Sequence, residues 1–270
     1  MPGTVGSFGA WVAASHPLPG LVVTVVAAGL AVTAGHSPGG VAGVTVAVFA
    51  GQLSVGWLND VVDADRDAVV GRTDKPVAAG RVGRRAVGRG VVVAAVLAVG
   101  LSLLSGVPAT AAHVGALLSA WAYDLGVKAT AWSIVPYAVS FGLLPAFATI
   151  GATGHWPPWW ITVGAAVLGS AAHVANVLPD IDDDTATGVV GLPHRIGATA
   201  SRFLAAALVL AASVVLVAGP PGAASALGIA ALVVACLVVG GGLVARRRAA
   251  FHAVLVVAVL DVVLLLATGA

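Results

Sequence analysis

The 270-residue chain has no glutamate, one cysteine at position 236, one methionine and only 9 % charged residues. An ordinary soluble domain carries about a quarter charged residues, so a water-soluble fold is excluded. Disorder is excluded too, because 59 % of the residues are hydrophobic and the mean hydropathy is +1.04. A lone cysteine inside an apolar run leaves no disulfide or cysteine–metal framework. The first fifteen residues hold no Lys or Arg, so the basic start of a secretory signal is missing, and the later apolar runs are too many for one cleaved peptide. What remains is an integral membrane protein with the bilayer as its partner, and no nucleic-acid partner is expected.

A hydrocarbon core about 30 Å thick needs ~20 mostly apolar residues per helix. The sequence predicts nine spans, at 18–35, 41–58, 87–105, 107–123, 131–150, 159–178, 201–218, 222–244 and 249–268. The runs are continuous and lack the alternation of a barrel strand, so the expected fold is all-α: a polytopic bundle forming one domain over residues 1–270. Gly and Pro clusters such as Ser37-Pro38-Gly39-Gly40, Trp156-Pro157-Pro158 and Gly219-Pro220-Pro221-Gly222 punctuate it. With nine spans, the connections after helices 2, 4, 6 and 8 share one face. All thirteen Lys and Arg fall there, including Arg81, Arg84, Arg85, Arg89 and Arg246 to Arg248, which predicts that this face and the N terminus are cytoplasmic. Ten of the eleven acids sit on the same face, all of them Asp. Crowding of both signs on one side points to a cytoplasm-facing site.

Two Asp-rich segments stand out. In Asn59-Asp60-Val61-Val62-Asp63-Ala64-Asp65-Arg66-Asp67, the residues Asp60, Asp63 and Asp67 are spaced i, i+3, i+7 and line one helical stripe. In Asn176-Val177-Leu178-Pro179-Asp180-Ile181-Asp182-Asp183-Asp184, Asp180 and Asp184 are one turn apart. Like charges on one stripe repel unless a cation sits among them. Hard divalent cations prefer carboxylate oxygens, and Mg²⁺ takes one or two carboxylates and fills its shell with water and substrate phosphate. At an offset of 117, Asn59, Asp63, Asp65, Asp67, Gly71, Pro76, Gly80 and Arg85 align with Asn176, Asp180, Asp182, Asp184, Gly188, Pro193, Gly197 and Arg202. This predicts a parallel internal repeat, with halves near 18–123 and 131–244 plus a ninth helix at 249–268, whose stripes face across a cavity. Arg72, Lys75 and Arg195 read as counter-charge for a polyanion such as a diphosphate.

These residues resemble the UbiA family of intramembrane prenyltransferases. The family's N-D-x-x-D-x-x-x-D hallmark matches Asn59, Asp60, Asp63 and Asp67, and Arg72-Thr73-Asp74-Lys75-Pro76 is similar to its R-T-x-R-P stretch. Its second hallmark matches Asp180, Asp184, Gly188 and Ile196-Gly197, and its Tyr with a Lys five residues on matches Tyr123 and Lys128. The resemblance implies two Mg²⁺ ions on the stripes, an isoprenyl diphosphate held with help from Asn59, Asn176, Tyr123 and Lys128, and transfer of its prenyl group to a lipophilic, classically aromatic, acceptor. Departures bear on that acceptor. The usual basic residue beside a Pro near helix 1 is missing from Ala14-Ser15-His16-Pro17-Leu18-Pro19, Val190 replaces a common Lys or Arg, and Asp124 replaces a common Ser. A carboxylate-bearing acceptor thus loses its obvious counter-ion.

Gln52 lies seven residues before Asn59, and His173 lies three before Asn176, so both are candidates to orient an acceptor or take its proton. His113 and His252 are weaker candidates, and Asp261, midway along the last span, is a functional suspect by position alone. Trp156, Trp159 and Trp160 read as an aromatic belt, and Gly164, Gly169, Gly240, Gly241 and Gly242 as close helix contacts. Two other readings remain: a terpene cyclase of the same superfamily, and a cation-coupled transporter. Against the transporter, the acids lie at helix ends rather than at the midplane.

Overall fold

A computed structural model describes residues 7–244 and 247–268. Among them every regular element is helical: α1 Phe8–Ala14, α2 Pro17–Thr33, α3 Pro38–Val69, α4 Arg84–Ser102, α5 Val107–Asp124, α6 Val135–Thr153, α7 Trp159–Val177, α8 Ile181–Ala186, α9 Leu192–Ala218, α10 Ala226–Val244 and α11 Arg247–Thr268. Short 3-10 turns continue α4 through Ser105 and α7 through Asp180. The starts are legible locally. Proline occupies the first or second position of α2, α3, α5, α6 and α9, where its missing N–H costs nothing. Ser37 caps α3 by accepting the Gly40 N–H at 3.2 Å.

Among the described residues, six helices can cross a membrane by length and apolarity: α3, α4, α6, α7, α9 and α10. Counting α1 and α2, which meet at 68°, as one broken span makes seven. The remaining expected runs fall on α5, diluted by His113, Tyr123 and Asp124, and on α11, whose apolar stretch is the shorter His252–Ala267. Boundaries also shift. The second run was expected to stop near 58, but α3 continues to Val69, so the first Asp stripe lies inside a helix. The seventh run starts at Leu192, nine residues early, because Gly197 at φ 80° lets the chain turn inside what reads as one helix.

Neighbouring helices pack in sequence order, α2 on α3, α3 on α4, α5 on α6, α6 on α7 and α7 on α9, with α10 and α11 against α9. Lipid-embedded helices gain nothing from hiding one apolar surface from another, so close approach through small residues holds them together. A Cβ on Gly169 would come within 2.5 Å of the Phe141 ring, and one on Gly164 within 2.7 Å of Leu216. Gly240 and Gly241 do not behave this way: nothing lies within 4 Å of a Cβ at either, because α10 sits at the edge of the bundle. Asp261 is fully buried and accepts a 2.6 Å hydrogen bond from Ser213 of α9, the polar partner that the sequence does not reveal. Trp156 and Trp159 are exposed, as a belt requires.

The N-terminal segment is fastened to α3. Trp57 donates its indole N–H to the Trp11 carbonyl at 3.0 Å, and the two rings meet edge to face at 5.2 Å. At Gly56 a Cβ would run into the Ser15 carbonyl. Gly56→Ala is therefore expected to lower stability by about 1–3 kcal/mol through overpacking against backbone. Gly88→Ala, where a Cβ meets open space, should be neutral or stabilising. Thermal unfolding of the two variants in the same detergent checks the contrast.

Candidate active site

Several of the charged candidates converge on the last three turns of α3. Asp60, Asp63 and Asp67 are all buried, at 1 %, 5 % and 4 % exposure, which is rare for carboxylates unless each is paired. Asp63 is the most heavily paired. Lys128, from the turn after α5, donates to both of its oxygens at 2.6 and 2.7 Å, Arg66 reaches it at 2.9 Å, and Asn59 donates at 3.1 Å. Asp60 accepts the Val77 backbone N–H at 3.0 Å through one oxygen and faces Lys75 Nζ at 3.7 Å with the other. Asp67 meets only Arg66, at 3.8 Å.

The loop from Gly71 to Gly83 carries the cations back over this stripe. Lys75 Nζ donates to Asn59 Oδ1 at 3.1 Å and contacts His16 Nε2 at 3.0 Å. Arg72 binds Asp74 through two parallel hydrogen bonds of 2.8 and 2.9 Å, which hold the Asp74 carboxyl down at about 2 and raise the guanidinium above its usual range. Arg72 also lies in the field of Asp67 and of Asp180, which ties the first segment to the second. Arg81 donates to the carbonyls of Thr73 and Asp74, and Arg84 pairs with exposed Asp65, so these two brace the loop.

The second segment is built differently. Pro179 interrupts the helix, and the chain passes through a 3-10 turn into α8. Asn176, Asp180 and Arg195 are exposed, and Arg195 donates to the Val190 carbonyl at 3.1 Å. Asp184 is half-buried beside His194 Nε2 at 3.3 Å; burial raises its carboxyl while His194 and Arg66 oppose the rise. The side chains of Asp182 and Asp183, of Arg247 and Arg248, and the whole of Arg246 lie outside the described residues.

Tyr123 and His173 come together with Tyr137: the ring centroids lie 5.2 Å apart for Tyr123–Tyr137, 5.5 Å for Tyr123–His173 and 4.8 Å for Tyr137–His173. His173 Nε2 meets Ser133 Oγ at 3.1 Å and the ring is 1 % exposed, while its Nδ1 is buried without a hydrogen bond. The Cβ of Gln52 faces Gly20 of α2.

Sequence reasoning did not assign four residues that the structure brings in. Asp124, buried, accepts from Asn59 at 3.0 Å. His16 meets Lys75. His194 accepts the Gly191 N–H on Nδ1, leaving Nε2–H as the donor toward Asp184. Ser133 bridges His173 and the Leu192 N–H. Asp124 and His16 were visible as departures from the family pattern; nothing in the sequence marked His194 or Ser133.

Among the described residues, no three His, Cys, Asp or Glu groups stand close enough to hold a metal ion by themselves. The donor set nevertheless fits Mg²⁺ whose shell is completed by phosphate oxygens and water. Asp60 Oδ1 and Asp67 Oδ2 are buried with no hydrogen-bond partner, a costly state that a cation relieves. The arrangement is thus that of a membrane-embedded helical protein with a buried, half-satisfied carboxylate cluster ringed by Lys and Arg.

The UbiA prenyltransferase family matches residues 20–254, and the chain belongs to that family. Solved structures with the same fold include a UbiA homologue from Archaeoglobus fulgidus bound to GPP and Mg²⁺, at 14 % identity and TM-score 0.74, covering 96 % of this chain and 99 % of that one. A UbiA homologue from Aeropyrum pernix K1 gives 17 %, 0.71, 89 % and 95 %. A structure concerning digeranylgeranylglyceryl phosphate synthase gives 12 %, 0.68, 97 % and 98 %. No curated protein matches the sequence.

Breaking a buried ion pair from one side leaves an uncompensated charge. Lys128→Met should therefore destabilise the metal-free protein by about 3 kcal/mol, the low end for such losses because Arg66 still reaches Asp63. Adding Asp63→Asn should recover most of that loss. An Asp63→Asn effect of the same size and sign in the parent and in the Lys128→Met background would show that the pair is not coupled.

Proposed function

We propose that this protein is a Mg²⁺-dependent intramembrane enzyme that transfers an isoprenyl group from a prenyl diphosphate to a lipophilic, aromatic acceptor. The observation that carries this is the pair of orphaned, buried carboxylate oxygens on Asp60 and Asp67 beside the ammonium of Lys75 and the guanidiniums of Arg66 and Arg72. Such a cluster lacks a cation and offers donors for a polyanion, and a metal diphosphate supplies both deficits together. Homologues of this fold have been solved with GPP and with DMAPP, each with Mg²⁺, which supports that ligand class.

In this reading Asp60, Asp63, Asp67, Asp180 and Asp184 hold the metal. Asn59, Arg72, Lys75, Tyr123, Lys128, Asn176 and Arg195 bind diphosphate. Bound Mg²⁺ would act as a Lewis acid that offsets the charge growing on the departing diphosphate. Lys75, Arg72 and Lys128 add hydrogen bonds to the same oxygens that strengthen as the allylic C–O bond breaks. The acceptor then attacks the allylic carbon and gives up the displaced proton to His173, with Gln52 and His173 orienting it. A transferase is preferred to a cyclase because these polar side chains serve a second substrate, whereas a cyclising chain needs an apolar wall.

The nine-span threading and the internal repeat belong to the same proposal. Two pairs of glycines at the 117-residue offset support the repeat: Gly71 and Gly188 take φ 72° and 82°, and Gly80 and Gly197 take 68° and 80°. Glycine reaches positive φ without a Cβ penalty, so similar turns after the two segments would use it in the same places. Nine spans put the Asp segments and the N terminus in the cytoplasm and the C terminus outside. Reporters fused at residues 80 and 270 should then read opposite sides, and the same side for both would refute the threading.

The activity is tested by mass analysis of lipids formed by the purified protein from prenyl diphosphates, with and without aromatic acceptors. A prenylated acceptor is expected, abolished by EDTA and reduced by at least ~10³-fold in both Asp63→Asn and Asp180→Asn, the scale of losing a preorganised charge at the reacting centre. A cyclic hydrocarbon or alcohol formed at the same rate without acceptor would overturn the transferase in favour of the cyclase.

A further inference from the structure

His16 is the only non-glycine among the described residues with a positive φ, at φ 51° and ψ 63°. For a residue with a Cβ this left-handed conformation is strained, and such strain persists only where the surroundings impose it. Here they do. The Ser15 carbonyl lies flush on Gly56, Trp11 is pinned to Trp57, and α2 starts immediately at Pro17, so the 68° break between α1 and α2 is confined to Ser15 and His16. The strain delivers the imidazole to Lys75, 59 residues away, with Nε2 at 3.0 Å from Nζ.

The donors and acceptors fix what this contact is. A lysine ammonium has three N–H groups and no acceptor, so His16 Nε2 accepts and the ring is neutral, with its proton on Nδ1. A second N–H of Lys75 goes to Asn59 Oδ1 at 3.1 Å. The third faces Asp60 Oδ1 at 3.7 Å, beyond hydrogen-bonding range, and that oxygen has no partner. Two firm acceptors on either side thus aim the remaining N–H of a four-carbon, flexible side chain at the orphaned carboxylate oxygen. Neutral acceptors do this without consuming the charge, which stays available to an incoming anion.

We propose that His16 is a positioning residue for diphosphate binding: the strained N-terminal break holds its imidazole so that Lys75 is pre-aimed at the Asp60 side of the site. The inference rests on the prenyl diphosphate reading above.

The test separates ring from backbone. His16→Gly keeps a residue at ease with φ 51° while removing the ring, so the fold should survive. His16→Asn tolerates the same backbone and restores an oxygen acceptor. Calorimetric titration of each purified variant with geranyl diphosphate plus Mg²⁺, and separately with inorganic diphosphate plus Mg²⁺, reads binding without turnover. His16→Gly should weaken both ligands about tenfold, the scale of re-immobilising one long side chain on binding. His16→Asn should return to within about threefold of the parent. In a Lys75→Met background, His16→Gly should have no further effect, because the residue it positions is gone. Equal weakening by His16→Gly with and without Lys75 would overturn the inference and leave the proposed function standing, as would unchanged binding in His16→Gly. Failure of the parent protein to bind either ligand would remove both.

Discussion

Burying three carboxylates on one face of one helix imposes the central requirement of this protein, because like charges withdrawn from water must be matched by cations from elsewhere in the chain. Helix α3 presents Asp60, Asp63 and Asp67 to the interior, and the answering charges come from three directions: Lys75 from the loop after α3, Lys128 from the turn after α5, and Arg66 from α3 itself. The matching is uneven. Asp63 is saturated with donors, while Asp60 and Asp67 each keep an oxygen without a partner. An inert structural cluster would be expected to satisfy all three, since a half-satisfied polar network is worse than an apolar core.

The same requirement explains the loops. An apolar chain that charged its surface for solubility alone would scatter its few ionic groups. Instead Arg72–Asp74 and Arg84–Asp65 stiffen the segment that returns Lys75 to the stripe, and Arg81 clamps its carbonyls. These exposed pairs contribute little stability individually, being screened by solvent. Their value is geometric, because they fix the path of the loop that returns Lys75 to the stripe.

The sequence made the first half of the site legible because a continuous helix converts i, i+3, i+7 spacing directly into a stripe, so Asp60, Asp63 and Asp67 could be read off without knowing any tertiary contact. It was less informative for the second half, since Pro179 breaks that periodicity and leaves Asp180 exposed while Asp184 turns toward His194. Long-range partners left no trace at all. Ser213 opposite Asp261, Ser133 between His173 and Leu192, and Asn59 against Asp124 join residues 40 to 65 positions apart, and no local pattern encodes such pairings. The glycines divide in the same way. Gly164 and Gly169 face neighbours, whereas Gly240 and Gly241 belong to an edge helix, a distinction set by topology rather than by composition.

Asn59 shows how these separate attachments become one device. Its amide donates to Asp63 and Asp124 and accepts from Lys75, so a single planar group links α3, the end of α5 and the loop beyond α3. An amide can serve carboxylates and an ammonium together because it carries donors and an acceptor without net charge. His16 extends the chain by one step, using a neutral ring to accept from the same ammonium. The polar path therefore runs from the N-terminal break through Lys75 and Asn59 to Asp63 and Lys128, with neutral Asn59 between Asp63 and Asp124 and neutral His16 beside Lys75. Such a path concentrates the few charges of an apolar chain at one point while Lys75 is oriented by two partners that do not neutralise it.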